Sequence, residues 1–341
     1  MNLSPGQQDL RNRAYEAGIV RAKGNGAPHR ENAPTDDLAV SNAILRAVDV
    51  GELARLQFRE REPLLSPWLH SQDLCMVFGS RGIGKTHLLL PVAFAVATGT
   101  KFLDWQAPKP RKVLYLDGEL PGQVLQRRLL MHCEDRTPAP GYLRIFTPDL
   151  PEMEERGLPD LSTYEGQDEI NSMIEADTAL VIVDNLSCWV RRGKENEGES
   201  WLPMANWTLS LRRRGIATIL VHHAGKDGTQ RGSSKREDLL DISIQLRRPQ
   251  DYDARHGAKF ELSFTKARHL TGDAAQSLEI SMGGDEMAAV WNWQTLKAAT
   301  ADRVVALIKD GLSQTEIAEE LQVNKSTVSR HVAAARAAGL L

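Results

Sequence analysis

The chain reads as an α/β protein, a doubly wound, mostly parallel sheet with a β-hairpin extension, followed by a small all-α domain at its C-terminal end. Two observations predict the sheet and a third predicts the tail. From Leu74 onward, short apolar runs alternate with amphipathic stretches in the order LCMVF, 85–98, VLYLD, 121–133, YLRIF, 165–176, ALVIVD, 199–214 and ATILVHH. Parallel strands covered by helices on both faces need that alternation. LLDISIQLRR, AKFELSFTK, SLEISM and MAAVWNW then follow with no helical pattern between them, which suits hairpins with a turn at GGDE or DEM. Residues 300–341 return to helical spacing.

Residues 1–38 are polar and rich in Arg, Gly, Asn, Pro and Asp, with no period that buries a face, so they are expected to form a mobile arm. AVSNAILRAVDVGELARLQF has apolar residues at three-to-four spacing. It predicts a helical lead-in over 39–70, running into the connector REPLLSPWLH, at the start of a core that extends to 298. With 341 residues, 41% of them hydrophobic, the chain has material for about two domains. A net charge of −3 excludes a protein that is basic throughout, so contact with nucleic acid has to come from local patches. Cys75, Cys133 and Cys188 lack metal-type spacing and read as reduced thiols. No apolar run approaches the ~20 residues of a membrane span, and the first residues lack a secretory apolar stretch, which predicts a cytoplasmic location and no membrane partner.

GSRGIGKT fits G-x-x-x-x-G-K-[ST] through Gly79, Gly84, Lys85 and Thr86. Glycines let successive backbone N–H groups turn inward around phosphate oxygens, and the helix that follows points its positive end at the same charge. Gly79, Ser80, Arg81, Gly82, Ile83, Gly84, Lys85, Thr86 and His87 are therefore expected to cradle ATP. Lys85 would meet the β and γ phosphates and Thr86 would hold Mg²⁺. Pro91 falls inside the predicted helix and is expected to bend it.

ALVIVD sets Asp184 at the end of an apolar strand, where a carboxylate can serve the magnesium shell opposite Thr86. Hydrolysis also needs a group that orients the attacking water, and the position after Asp184 is Asn185, which is not acidic. VLYLDGEL offers Asp117 and Glu119 just past a strand expected to lie beside the phosphate-loop strand, and Glu119 is the chosen base.

Together, GSRGIGKT, VLYLDGE, ALVIVDNLS, ILVHHAGK and QRGSS resemble the RecA-like ATPases of the RepA type, the hexameric replicative helicases of certain plasmids, over about residues 60–295. The resemblance implies a RecA-like core in which Glu119 activates water and His223 is a polar sensor. Lys266 and Arg268 match the K-x-R pair that such rings insert into the next subunit's ATP site, with Arg231 a rival for that role. It also implies that the loops 188–200 and 224–236 line a central hole occupied by single-stranded DNA. Lys226, Arg231, Lys235 and Arg236 make the second loop suitable for phosphate contacts.

The tail predicts a helix at about 301–310, a capped helix after Ser313, a turn through Val323 and Asn324, and a helix from Ser326. This is a helix-turn-helix pattern, with Ser313 and Glu316 as capping box and Ile317, Leu321, Val323 and Val328 as core. Lys325, Ser326, Thr327, Ser329, Arg330 and Arg336 suit a major groove. The reading favoured by the sequence is a ring-forming DNA helicase or translocase, a hexamer with DNA as partner. The alternative is an ATP-switched regulator that binds DNA without unwinding it, and a recombination mediator would share the fold.

Overall fold

The computed structural model describes residues 46–133, 136–191, 198–224, 238–253, 255, 257–284 and 288–341. The chain divides into two units, Met1–Glu60 and Arg61–Leu341. In the first, helix α1 (Val50–Leu53) is one turn, capped by the Asp49 side chain, which accepts from the Glu52 N–H at 2.8 Å. The helical lead-in does not continue past it. Pro63 and Pro67 cannot donate to a helix. Residues of the connector instead pair as β1 (Pro63–Leu65) and β2 (Leu69–His70), burying Leu64, Leu65, Trp68 and Leu69.

The central sheet of the second unit has nine strands, named in chain order: β3 (Leu74–Gly79), β6 (Lys112–Asp117), β7 (Leu143–Phe146), β8 (Thr178–Asp184), β9 (Ala217–His223), β10 (Ile242–Arg247), β11 (Ala258–Ala267), β12 (Leu278–Gly284) and β13 (Ala289–Thr295). A separate small hairpin, β4 (Lys101–Phe102) with β5 (Trp105–Gln106), carries Trp105 into the core. Across the sheet the order is β13-β12-β11-β10-β3-β9-β8-β6-β7. The six strands from β10 to β7 are parallel, and β11 to β13 extend the sheet as an antiparallel meander. All four late strands expected from the sequence are present, though β10 belongs to the parallel core. The expected turn at DEM falls outside the described residues.

One expectation about neighbours is corrected. VLYLD, now β6, does not lie beside the phosphate-loop strand β3, because β9 and β8 intervene. Spacing along a chain specifies strands but not their lateral order.

Alternate residues of the buried strands face opposite layers, as a period of two demands. Cys75 and Val77 of β3 and Leu180 and Ile182 of β8 pack with helix α2 (Lys85–Thr98). Leu74, Met76, Val181 and Val183 pack on the other face, with helix α6 (Gly198–Arg213) contributing Trp201, Met204, Trp207 and Leu211. Helix α2 runs through Pro91 and stops at Gly99, whose φ of 68° is the left-handed C-terminal conformation that favours glycine. Shorter helices complete the two layers: α3 (Gly122–Leu130) through Leu125 on the first face, α4 (Tyr164–Asn171) and α5 (Leu186–Trp189) through Ile170 and Trp189 on the second.

Three helices close the chain: α7 (Leu296–Lys309), α8 (Gln314–Glu320) and α9 (Lys325–Ala337). The capping box is formed as expected, with Ser313 N–H on Glu316 at 2.8 Å and Glu316 N–H on Ser313 Oγ at 3.3 Å. Val304, Ile317, Val328 and Val332 are the buried core, with Leu321 and Val323 packed against it. Helix α7 starts at Leu296, earlier than its apolar spacing indicates, because the Thr295 side chain caps it. Arg303 fastens it to the sheet extension by ion pairs with Asp251 at 2.9 Å and with Glu279.

Candidate nucleotide site

Four neighbouring parallel strands, β3, β9, β8 and β6, end together, and ligands of open α/β sheets bind at such carboxyl ends. Gly79 is in register with His223, and Asp117 with Asp184. The site groups therefore line up across the sheet as phosphate loop, His223, Asp184 and then the Asp117–Glu119 turn.

Lys85 begins helix α2 and is buried. Its ammonium donates to Gly79 O at 3.0 Å, to Ser80 O at 2.9 Å and to His223 Nδ1 at 3.1 Å, which uses all three of its hydrogens. Because an ammonium has no lone pair, His223 Nδ1 is the acceptor in that contact, and the ring hydrogen lies on Nε2, which faces Glu119 Oε2 at 3.6 Å. Burial lowers the Lys85 pKa to about 8, against the raising pull of Asp184 and Glu119. Gly84 has φ 116°, and a Cβ there would stand 3.1 Å from the Phe260 ring, so the loop requires glycine at this point. Arg81 is exposed, Ile83 is part of the hydrophobic core, and Gly82 O accepts from Arg248 at 3.0 Å. His87 is held neutral, its pKa lowered to about 4, chiefly by burial and then by the charge of Arg128.

Asp184 is buried, and its Oδ2 accepts from Thr86 Oγ1 and from Tyr115 O–H, each at 2.7 Å. Burial is the main cause raising its pKa, with these two hydrogen bonds opposing it. Asn185 is not a bystander where an acid is missing. Its Nδ2 donates to Glu119 Oε2 while its Oδ1 accepts from Ser187 N–H at 3.1 Å, so the start of helix α5 holds the amide that holds the glutamate. The chain thus brings Glu119 to the site over the end of β8, despite the two strands that separate β6 from β3.

Tyr115 and Asp117 are parts of this site that the choice of Glu119 passed over. They share a face of β6 because they are two residues apart, the one signal in the sequence that links them. Asp117 is fully buried, and burial, followed by the charge of Asp184, raises its pKa from 3.8 to about 7. Folding therefore takes up a proton at Asp117 between those values. Its contribution to stability is complete at low pH and is lost as pH rises toward 7 and above. In magnesium-free buffer, Asp117→Asn is expected to flatten the fall in urea stability of the wild type across that window, and parallel pH profiles for the two chains would refute the assignment.

Lys266 and Arg268 are not brought to this site. β11 runs antiparallel to β10, so Ala267 is in register with Ile242 and, through it, with Cys75, at the opposite edge of the sheet from Gly79. Arg268 donates to Asp238 O at 2.8 Å and lies 3.6 Å from Asp241, and Lys266 Nζ is 3.5 Å from Asp238 O. Lys226, Arg231, Lys235 and Arg236 lie outside the described residues. In the tail, Lys325, Ser326, Ser329, Arg330 and Arg336 are exposed and Thr327 half-buried, with Arg330 folded against Ser326 O and Thr327 Oγ1 at 3.4 and 3.3 Å.

The family described as an AAA domain matches residues 40–229, more than half of the chain. The chain belongs to this AAA-domain family. Its C-terminal part, residues 303–341, matches a homeodomain-like domain. Among solved structures, a KaiC-like protein from the hyperthermophilic archaeon Pyrococcus horikoshii is 14% identical. That match covers 67% of this chain and 93% of the other, with a TM-score of 0.47. No curated protein matches. The AAA-domain protein is a P-loop ATPase with a C-terminal helix-turn-helix. Among the described residues, no helix is long and apolar enough to cross a membrane.

The residues present suit a nucleoside triphosphate with a divalent ion. A buried ammonium sits in a glycine loop that tolerates no Cβ at Gly84, and the Thr86 hydroxyl donates to the buried Asp184 carboxylate.

Proposed function

We propose that this AAA-domain protein is an ATP-hydrolysing, ring-forming DNA translocase of the RepA type, a hexamer acting in the replication of a plasmid or other mobile element. The observation that carries the reading is the convergence of Lys85, Thr86, Asp184, Asn185, Glu119 and His223 at the ends of four adjacent strands. Thr86 and Asp184 would hold Mg²⁺, which when bound neutralises charge on the β and γ phosphates. Glu119, fixed by Asn185, orients the attacking water and accepts its proton. Lys85 exchanges hydrogen bonds within its own loop for phosphate oxygens. His223 touches both Lys85 and Glu119, so it couples the phosphate end of the site to the base.

Lys266 and Arg268 serve a neighbour's site in this reading. Their place on the far edge of the sheet supports it, since a cation there does not reach its own phosphate loop. Single-stranded DNA is contacted by Lys226, Arg231, Lys235 and Arg236, and duplex DNA by the tail through Lys325, Ser326, Thr327 and Arg330. The homeodomain-like tail also favours a second reading, an ATP-switched regulator that binds an operator and unwinds nothing.

A strand-displacement assay on forked duplex separates the two. ATP-dependent unwinding by the wild type, abolished by Lys85→Ala, is the expected result. Tight binding of duplex with no unwinding by either chain would select the regulator.

A further inference from the structure

At the edge of the sheet opposite the nucleotide site, three side chains from distant parts of the chain meet. His70 ends β2, Asp73 immediately precedes β3, and His269 follows β11. His70 Nδ1 and His269 Nε2 are 3.1 Å apart, and Asp73 Oδ2 lies 3.7 Å from the first and 3.6 Å from the second. Asp73 is buried and both histidines are half-buried.

Hydrogen bonding alone serves this cluster poorly. His269 Nε2 also stands 2.9 Å from the carbonyl oxygen of Trp68. Three polar atoms, namely His70 Nδ1, Asp73 Oδ2 and Trp68 O, thus crowd one ring nitrogen that carries at most one hydrogen. A cation at the centre of the three side-chain atoms satisfies them together. Atoms separated by 3.1, 3.7 and 3.6 Å have a common point about 2 Å from each, the bond length of zinc to imidazole nitrogen and carboxylate oxygen. Their separations also approximate one face of a tetrahedron at that bond length, leaving the fourth corner toward Trp68 O or water. Arg61 engages the other carboxylate oxygen, Oδ1, and the His70 N–H donates to Oδ2 at 2.7 Å, so the carboxylate is fixed from outside the cluster as metal-ligating carboxylates are.

We propose that His70, Asp73 and His269 form a binding site for a divalent transition-metal ion, Zn²⁺ foremost, at this edge of the sheet. Two imidazoles with one carboxylate select such an ion over calcium or magnesium, which take oxygen ligands. The ion joins β2, the entry to the phosphate-loop strand and the segment after β11, where His269 directly follows Arg268. The site is independent of the ATPase reading.

The test titrates Zn²⁺ alone into the metal-stripped full chain, with Co²⁺ as a spectroscopic substitute. One ion per chain, cobalt absorption bands of tetrahedral type and a raised Tm are expected. His269→Gln, which keeps an amide near Trp68 O but supplies no imidazole, should weaken binding by about 100-fold or more, beyond the range for lost outer-shell partners, with its circular dichroism and ATP binding retained. Equal zinc affinity in wild type and variant would overturn the proposal. His70→Gln serves as the second variant. Should both variants fail to fold, an anomalous zinc peak between the two rings in zinc-grown wild-type crystals supports the site, and its absence overturns it.

Discussion

Replacing Glu119 with glutamine is expected to slow ATP hydrolysis by about 10²- to 10⁴-fold, the contribution of a positioned general base, while ATP binding is retained. Glutamine has nearly the same shape, so the Asn185 amide still has an oxygen to hold. It lacks the lone-pair basicity to take a proton from water. Single-turnover hydrolysis measured beside equilibrium binding of a fluorescent ATP analogue checks this, and a rate within a few fold of wild type would remove Glu119 from the role. Asn185→Ala makes a graded companion. It frees the glutamate without discharging it, so a smaller loss of rate that leaves the pH dependence in place would separate positioning from proton transfer.

Asp241→Ala is expected to cost about 1–3 kcal/mol of folding stability, the range for leaving a buried hydrogen-bonding group without its partner. Asp241 sits at the foot of β10. Its carboxylate accepts from the Leu74 N–H at 2.9 Å and from Arg212 of helix α6, with Arg268 3.6 Å away. Its backbone N–H donates to Leu74 O and its carbonyl accepts from Arg268 N–H, at 2.8 and 3.0 Å. The alanine variant leaves one strand N–H without its acceptor and takes the carboxylate from a half-buried guanidinium that keeps Gln72 O. Asp241→Asn, which still offers an acceptor to Leu74, should lose less. Urea denaturation of the three chains reads the difference, and a loss under about 1 kcal/mol for alanine would mean that water replaces the carboxylate there.

What could be read beforehand was whatever a local period carries. The unbroken apolar runs LCMVF, ALVIVD and ATILVHH marked strands buried on both faces, and the Ser313–Glu316 spacing marked a helix start that the structure forms atom for atom. The phosphate loop was legible because its chemistry is compressed into eight consecutive residues, Gly79 to Thr86. What local spacing does not contain is which strand lies beside which. Glu119 was chosen by elimination, on a supposed neighbour for β6 that proved wrong. It nevertheless stands beside Asn185, the residue that had looked like a gap. The contact of Lys85 with His223 spans 138 residues and that of His70 with His269 spans 199, so neither leaves a mark on any window of sequence. Tyr115 was within reach, since its place two residues before Asp117 puts both on one face of the strand.

The burial of β3, β8 and β9 on both faces has a further meaning for how this protein fails. Its chemical groups stand on the ends of strands whose amides should be among the slowest in the chain to exchange with solvent, because layers of side chains cover them above and below. Local fraying therefore cannot take the site apart piece by piece. The capacity to grip a nucleotide and the integrity of the sheet are one cooperative unit, and they disappear together.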